Sequence, residues 1–172
     1  MPTATPTSTP TPRPGGEVKF EAAFIAGLKD IFEEKIVFNK TLGLRITLIG
    51  ASRVTARMVM QPALIGHYAH QRIHGGAISA GLDALGGLAV MTAIGARHLD
   101  EPVLQRLQRF GKLGTIDLRV DYLRPGIAAD GAYFELRAEV LRLGSRVATT
   151  RMEFLAADGT LLSCGVAAYI VS

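Results

Sequence analysis

The chain has little of what several protein classes require: it contains one cysteine and no tryptophan, and only 20% of its 172 residues are charged. The lone cysteine, Cys164, argues against the disulfide framework that stabilises small secreted domains. An apolar content of 48% argues against a disordered protein. The formal net charge of +4 is too small and too dispersed to indicate a nucleic-acid partner. Length and composition instead predict one globular domain with an appendage.

The appendage is the N-terminal segment, which holds five of the eight prolines and a single charged side chain, Arg13. Such a segment cannot bury a core, and it lacks the basic start and apolar run of a secretory signal. We therefore expect residues 1–16 to be a disordered Pro/Thr-rich tail. Residues 17–172 are expected to form the folded domain.

Hydrophobic periodicity predicts the elements of this domain. Residues 17–37 repeat apolar side chains every three or four positions, which indicates an amphipathic helix. Apolar and polar residues alternate in 44–48 and 54–60, and again in four later stretches, which predicts antiparallel strands joined by short turns. The later stretches are 115–123, 132–143, 146–156 and 161–171. In the last one, the alternation predicts a buried face made of Leu162, Cys164, Val166, Ala168 and Ile170.

One long segment is almost free of charge, because residues 75–96 carry Asp83 among apolar and small side chains. Such a helix is either surrounded by protein or spans a membrane. The central aspartate and the many glycines and alanines argue against a membrane span. The order of elements therefore predicts an α+β fold in which a curved antiparallel sheet wraps a long central helix, with a further helix at the N-terminus.

Two features of the central helix are candidates for chemistry. Asp83 is one, because an ionised carboxylate within an apolar helix is costly unless it is paired or used. A buried His or Arg partner is the structural alternative. His74-Gly75-Gly76 is the other, because the first N–H groups of a helix lack intrahelical acceptors and glycines let a ligand approach them. Ordinary turn chemistry is the alternative for this tripeptide.

The spacing of the two features bears on assembly. Asp83 lies nine residues after His74, so a helix places it roughly 13 Å further along and on the opposite side. One helix therefore cannot aim both groups at a single carbonyl. If both act on one substrate, Asp83 comes from a second copy of the chain, and the site lies between two subunits.

The sequence HGGAISAGLDALGGLA at residues 74–89, followed by GTIDLRVDYLRPG at 114–126, resembles the hotdog-fold acyl-CoA thioesterases of the HGG class, the phenylacetate-pathway type. The resemblance covers residues 17–172. It implies a hotdog fold, hydrolysis of an acyl-CoA thioester, and self-association as a homodimer or a dimer of dimers. It also implies a cytoplasmic location and no cofactor, since coenzyme A is part of the substrate. Neither a nucleic acid nor a membrane is expected as a partner.

The resemblance implies roles for the motif residues. Gly75, with Gly76 beside it, resembles the backbone donor that polarises the thioester carbonyl, and His74 precedes it in the same motif. Asp83 of the partner subunit resembles the acid that attacks the carbonyl or activates water. Thr115 lies where the family often has Ser or Thr, which helps to hold that water.

The chain departs from the family pattern before the motif. An Asn or Gln usually precedes the histidine by six or seven residues, and Tyr68 and His67 stand at those positions here. His67 is the better substitute, because an imidazole can donate a hydrogen bond to the acyl carbonyl.

Cations are expected to hold the phosphates of coenzyme A. Arg124, Arg142 and Arg146 lie at predicted strand ends and are the candidates, with solvated surface charge as the alternative. Arg106, Arg109 and Lys112 form a weaker candidate group. No metal is expected, because neither a carboxylate nor a cysteine stands beside the closely spaced His67, His70 and His74.

Two other functions are compatible with the same fold. A binding protein would hold an acyl thioester without cleaving it, and the missing Asn or Gln prompts this alternative. A hydratase or dehydratase acting on an acyl thioester is less compatible, because His74 does not fit the arrangement that such enzymes use.

Overall fold

A computed structural model of the chain describes residues 18–172, so the predicted tail at residues 1–16 lies outside the described residues. The described part begins with helical structure in three pieces: α1 (Ala22–Lys29), a π-helical turn (Asp30–Lys35) and α2 (Val37–Thr41). Phe24, Leu28 and Phe32 are spaced four residues apart and are buried on one face. The single predicted helix is thus interrupted at Ile36, whose ψ of 89° leaves the helical region.

Six strands form one antiparallel sheet in the order β1-β2-β6-β7-β8-β5. The strands are β1 (Leu44–Ile49), β2 (Arg53–Val59), β5 (Gly114–Tyr122), β6 (Tyr133–Leu143), β7 (Val147–Leu155) and β8 (Leu161–Ile170). A short hairpin of β3 (Ile65–His67) and β4 (Arg72–Ile73) lies outside this sheet and leads into the central helix. Among the described residues, β1 and β5 are the edge strands, and only β5 follows the central helix in the chain.

The central helix α3 (Gly75–Arg97) packs against β2, β5, β6, β7 and β8. Leu82, Leu85 and Leu88 are fully buried between the helix and the sheet. By length and composition α3 could span a membrane, but here the sheet covers most of it. The predicted α+β architecture, with a curved antiparallel sheet around a central helix and a helix at the N-terminus, is confirmed.

The sheet does not cover α3 on every side. A stripe of half-exposed residues runs along the helix beside the β5 edge, and it consists of Ala77, Ala80, Asp83, Ala84 and Met91. At 100° per residue these side chains project from one third of the helix circumference. The edge strand itself exposes Ile116 and Tyr122. One chain therefore leaves an apolar surface of small side chains open along the helix and β5.

Leu162 of β8 is buried as predicted, but the rest of the predicted buried face of this strand is wrong. Ser163, Gly165, Ala167 and Tyr169 point inward, whereas Val166 is 44% exposed and Cys164 is only half-buried. Both faces of this strand are apolar or small, so alternation does not distinguish them. Three of the four inward residues are small because α3 passes directly over β8, and the fourth, Tyr169, fits because Gly86 of the helix has no Cβ to overlap its hydroxyl.

A connection that the sequence did not predict as helical joins α3 to β5. It contains α4 (Val103–Gln108) and a 3₁₀ turn (Arg109–Lys112). Arg106 is fully buried between α4 and α1, where it donates a hydrogen bond to Glu21 at 2.5 Å and lies over the Phe24 ring. The guanidinium holds the pKa of the Glu21 carboxyl below its usual value. This ion pair fixes the N-terminal helix to the connection.

Candidate active site

His74 forms the N-terminal cap of α3. Its backbone is extended, with φ −67° and ψ 134°, and its Nδ1 accepts a hydrogen bond from the Gly76 N–H at 2.9 Å. An acceptor Nδ1 carries no proton, so in the neutral ring the proton is on Nε2. A Cβ on residue 76 would lie 2.9 Å from His74 Nδ1, which explains the glycine at this position.

The amide of Gly75 is the open donor at this end of the helix. The Gly76 N–H is taken by His74, whereas no acceptor for the Gly75 N–H is present among residues 18–172. The Gly75 carbonyl accepts a hydrogen bond from the Tyr122 hydroxyl at 2.9 Å, which fixes the peptide against β5. A free N–H at the start of a 23-residue helix favours a developing negative charge.

A groove of about 360 Å³ opens at the Gly75 end of α3. Gly75, Tyr122, Arg72 and Arg124 are among its lining residues. Arg124 is exposed and donates one hydrogen bond to the Leu161 carbonyl at 3.0 Å. A donor amide and two arginines thus border one groove.

Asp83 lies at a different place, where three elements meet. Thr115 of β5 donates a hydrogen bond to Asp83 Oδ1 at 2.8 Å. The hydroxyl of Tyr169, from β8, lies 3.2 Å from the same Oδ1 and donates to the Asp83 backbone carbonyl at 2.9 Å. Among the described residues, none donates to Oδ2. The carboxylate is therefore held through one oxygen and presents the other.

The expected structural alternative for Asp83 is not what the structure shows. No salt bridge to Asp83 occurs within residues 18–172, and its hydrogen-bond partners are neutral hydroxyls. Burial, followed by the nearby Asp83 carboxylate, raises the pKa of the Tyr169 phenol above its ordinary value. The phenol therefore stays protonated and remains a donor to Asp83 over the whole physiological pH range.

The two parts of the candidate site contact opposite ends of β5. Thr115 touches Asp83 near the start of the strand, and Tyr122 touches Gly75 at its end. An extended strand places the Cα atoms of Thr115 and Tyr122 roughly 23 Å apart, and eight residues of helix separate Gly75 from Asp83 by about 12 Å. Within one chain, the carboxylate and the open amide thus lie apart, as the helical spacing predicts.

His67 lies close to the cap but is exposed. It ends β3, and the preceding Gly66 packs so tightly on His74 that a Cβ there would lie 2.8 Å from the His74 Cα. The His67 and His70 rings are 4.7 Å apart, and Tyr68 is 83% exposed. His67 is therefore placed beside the Gly75 end of α3.

The three candidate arginines do not come together in one chain. Arg124 follows the end of β5, while Arg142 and Arg146 flank the turn between β6 and β7, at the strand ends near Thr115. All three are exposed. That turn borders a second cavity, of about 380 Å³, lined in part by Arg97, Arg109 and Lys112.

The weaker cationic group is largely committed to other contacts, which corrects the expectation for two of its members. Arg106 is buried against Glu21, and Arg109 forms a bidentate ion pair with Glu101. Lys112 alone of the three is both exposed and without a salt bridge among residues 18–172. In the described part of the chain, no group of three or more His, Cys, Asp or Glu side chains could hold a metal.

Sequence reasoning missed Tyr122 and Tyr169 as site residues. The alternation predicts the strand that contains Tyr122 but no partner for its hydroxyl. It predicts Tyr169 on the outward face of β8. A buried phenol requires a polar partner, but nothing in the sequence pairs Tyr169 with Asp83.

Comparison with known proteins agrees with this architecture. The central helix within an antiparallel sheet defines the hotdog class of fold, and the profile of the Thioesterase superfamily matches residues 70–163. The chain belongs to this superfamily and is a thioester hydrolase.

Relatives of known name and structure support the assignment. The medium/long-chain acyl-CoA thioesterase YigI of Salmonella typhimurium is 34% identical over 142 residues, which is 83% of this chain and 90% of YigI. The Escherichia coli YigI is 32% identical over the same coverage. A Shewanella oneidensis protein related to the thioesterase superfamily superposes with a TM-score of 0.80 at 35% identity, covering 88% of this chain and 97% of that one.

Proposed function

We propose that the protein hydrolyses medium- or long-chain acyl-CoA thioesters to the free acid and coenzyme A, and that it does so as a homodimer or a dimer of dimers. The observation that carries this proposal is the Asp83 carboxylate, held through Oδ1 by Thr115 with Oδ2 left open. The superfamily membership and the names of the YigI relatives support the substrate class.

A second copy completes the site in this proposal. Among the described residues, β5 pairs with β8 on one side and is the edge of the sheet on the other. The half-exposed stripe of α3 lies beside this edge. Antiparallel pairing of two β5 strands about a two-fold axis near Leu118 sets Thr115 of one subunit beside Tyr122 of the other. The Asp83 carboxylate of one subunit then faces the open Gly75 amide of the other.

The chemistry follows from these two groups. The thioester carbonyl accepts a hydrogen bond from the Gly75 N–H, which stabilises the oxyanion that forms on attack. The partner subunit's Asp83 either attacks the carbonyl carbon directly or removes a proton from the attacking water, which Thr115 helps to hold. The carbon–sulfur bond then breaks, and coenzyme A leaves as a thiolate, whose conjugate thiol has a pKa of about 8.5. Attack by water gives the free acid at once, whereas direct attack by Asp83 leaves an acyl-aspartyl anhydride that water hydrolyses to the free acid and the restored carboxylate. No cofactor is required for these steps.

His74 orders the donor end, because its Nδ1 holds the Gly76 N–H and leaves the Gly75 N–H for substrate. His67, beside it, donates a further hydrogen bond to the acyl carbonyl in place of the usual amide. We therefore place the protein in the HGG class of these thioesterases. A cytoplasmic location would suit an acyl-CoA substrate.

The three exposed arginines bind the phosphates of the coenzyme A tail in this proposal. The antiparallel dimer carries Arg142 and Arg146 of one subunit, which lie near Thr115, towards the end of β5 that holds Arg124 of the other. The exposed guanidiniums can then approach the same phosphates.

Thiol release from a panel of acetyl-, octanoyl-, palmitoyl- and phenylacetyl-CoA tests the proposal. We expect turnover with the octanoyl or palmitoyl substrate. Asp83→Asn should lower kcat by about a thousandfold, because the open carboxylate oxygen is lost. Asp130→Asn, which changes an exposed carboxylate outside β5, is the control and should keep wild-type activity.

The outcomes separate the alternatives. Binding of acyl-CoA without turnover by the wild-type chain would establish a non-catalytic binding protein. Undiminished turnover in Asp83→Asn would contradict the proposed chemistry. Phenylacetyl-CoA as the preferred substrate would place the chain with the phenylacetate-type enzymes.

A further inference from the structure

Tyr169 is the one buried side chain that contacts both the backbone and the carboxylate of Asp83. It is 1% exposed, and its hydroxyl lies 2.9 Å from the Asp83 backbone oxygen and 3.2 Å from Oδ1. A single hydroxyl therefore spans the main chain and the side chain of one residue, which restricts the carboxylate to one rotamer.

The hydroxyl is itself held tightly in place. It packs where residue 86 has no side chain, since a Cβ there would overlap it, and it lies 3.9 Å from the sulfur of Met152. β8 holds the Tyr169 backbone between β7 and β5, opposite Ala148 and Thr115. The phenol is thus fixed from three sides, by the helix and by two strands.

The surroundings give the hydroxyl no other strong acceptor. Among the described residues, its other polar neighbours are the thioether of Met152, a weak acceptor, and Thr150. Thr115 reaches the same Oδ1 from β5. Among the described residues of one chain, the side chains that reach the Asp83 carboxylate from β5 and β8 are therefore the uncharged hydroxyls of Thr115 and Tyr169. In the proposed dimer, His67 and His74 of the partner subunit are the titratable groups on its other side.

We propose that Tyr169 is a positioning residue for the thioesterase reaction: with Thr115 it fixes Oδ1 of Asp83 so that Oδ2 points at the reacting carbonyl of the neighbouring subunit. The proposal rests on the role of Asp83 under the proposed function. Tyr169 touches neither the substrate nor the water. It acts by holding Asp83, because its one O–H lies within hydrogen-bond distance of both the backbone oxygen and Oδ1 of that residue.

The test removes the hydroxyl and keeps the ring. Tyr169→Phe should lower kcat about tenfold and leave KM within about twofold, because a hydrogen bond to an ionised group is lost while the substrate contacts stay. The loss should therefore appear in kcat and not in KM. The substrate is an acyl N-acetylcysteamine thioester, so that contacts with the coenzyme A phosphates do not enter the comparison.

Ser163→Ala is the matched control. Ser163 is on the same strand, is fully buried, and its hydroxyl has no hydrogen-bond partner among residues 18–172. Its removal should leave kcat unchanged, so that a general loss of packing in β8 is distinguished from a specific effect on Asp83.

Two further variants separate the O–H donor from the space that it fills. With 3-fluorotyrosine at position 169 the donor is kept, so kcat should stay within about threefold of wild type. With 4-fluorophenylalanine the space is filled but the donor is lost, so kcat should fall about tenfold, and this variant decides the question if Tyr169→Phe fails to fold by circular dichroism. Wild-type kcat in the folded variants that lack the O–H would overturn the proposal.

The same measurements separate this inference from the proposed function. If the wild-type chain is active, Asp83→Asn is inactive and Tyr169→Phe behaves as wild type, only the role of Tyr169 fails. If Asp83→Asn is fully active, the proposed function itself fails, and the role of Tyr169 fails with it.

Discussion

The two ends of β5 differ in which part of the candidate site one chain supplies there. Near Thr115, side chains from α3, β5 and β8 converge on one carboxylate, and its hydrogen bonds are supplied within the chain. Near Tyr122, the reactive group is a backbone amide at the start of α3, with a groove in front of it and no acceptor among the described residues. In the proposed reaction, one end supplies the base or nucleophile and the other supplies the oxyanion donor.

The distance between the ends has a simple cause. From Gly75 to Asp83 the helix advances by about 12 Å, while the strand beneath advances by roughly 23 Å between Tyr122 and Thr115. The helix and strand therefore carry the two groups away from each other. Neither end of one chain holds both groups, which is why the proposed site includes a two-fold neighbour.

The largest effect on the donor end is expected from Gly75→Pro. Proline removes the N–H, is accommodated at the first position of a helix, and is compatible with the extended backbone of His74 before it. Loss of one oxyanion donor should lower kcat by about a hundredfold or more. Thiol release from octanoyl-CoA measures it.

Gly75→Ala is the control, because it keeps the N–H and adds the same Cβ. That Cβ would lie 3.3 Å from the Tyr122 ring, which is 53% exposed and can shift. We expect kcat within about threefold of wild type, since only packing changes. Equal activity of the proline and alanine variants would show that the Gly75 N–H is not the donor.

A smaller effect is expected from Arg124→Ala at the same end. Loss of one cation from the groove should raise KM for acyl-CoA about tenfold, because a charge-assisted hydrogen bond to phosphate is lost. With an acyl N-acetylcysteamine thioester, which has no phosphate, KM should not change. An equal rise in KM for both substrates would instead indicate damage to the groove.

Much of the fold was predictable from the sequence, for identifiable reasons. Strong periodicity marks the strands, and the scarcity of charge marks α3. The connection between α3 and β5 was not predicted, because its helix α4 is only six residues long. The face of β8 was misassigned because Ser163, Gly165 and Ala167 are small, and size rather than polarity selects them under α3.

Candidate site residues can be predicted where a side chain is of an unusual type for the segment that contains it. A charge within an apolar helix identifies Asp83, and glycines at a helix start identify the donor end. Tyr169 could not be identified, since its importance arises from a contact across 86 residues of sequence. The buried ion pair of Arg106 could not be predicted for the same reason, because its partner Glu21 lies 85 residues away in the sequence.

Complementation between two inactive variants tests the shared site most directly. Asp83→Asn loses one end and Gly75→Pro loses the other, so a mixed dimer has one site with both groups intact and one with neither. Co-expression in equal amounts should restore about a quarter of wild-type kcat, because half of the dimers are mixed and each has one working site of two. Activity no higher than the mean of the two separate variants would contradict a site built from two subunits.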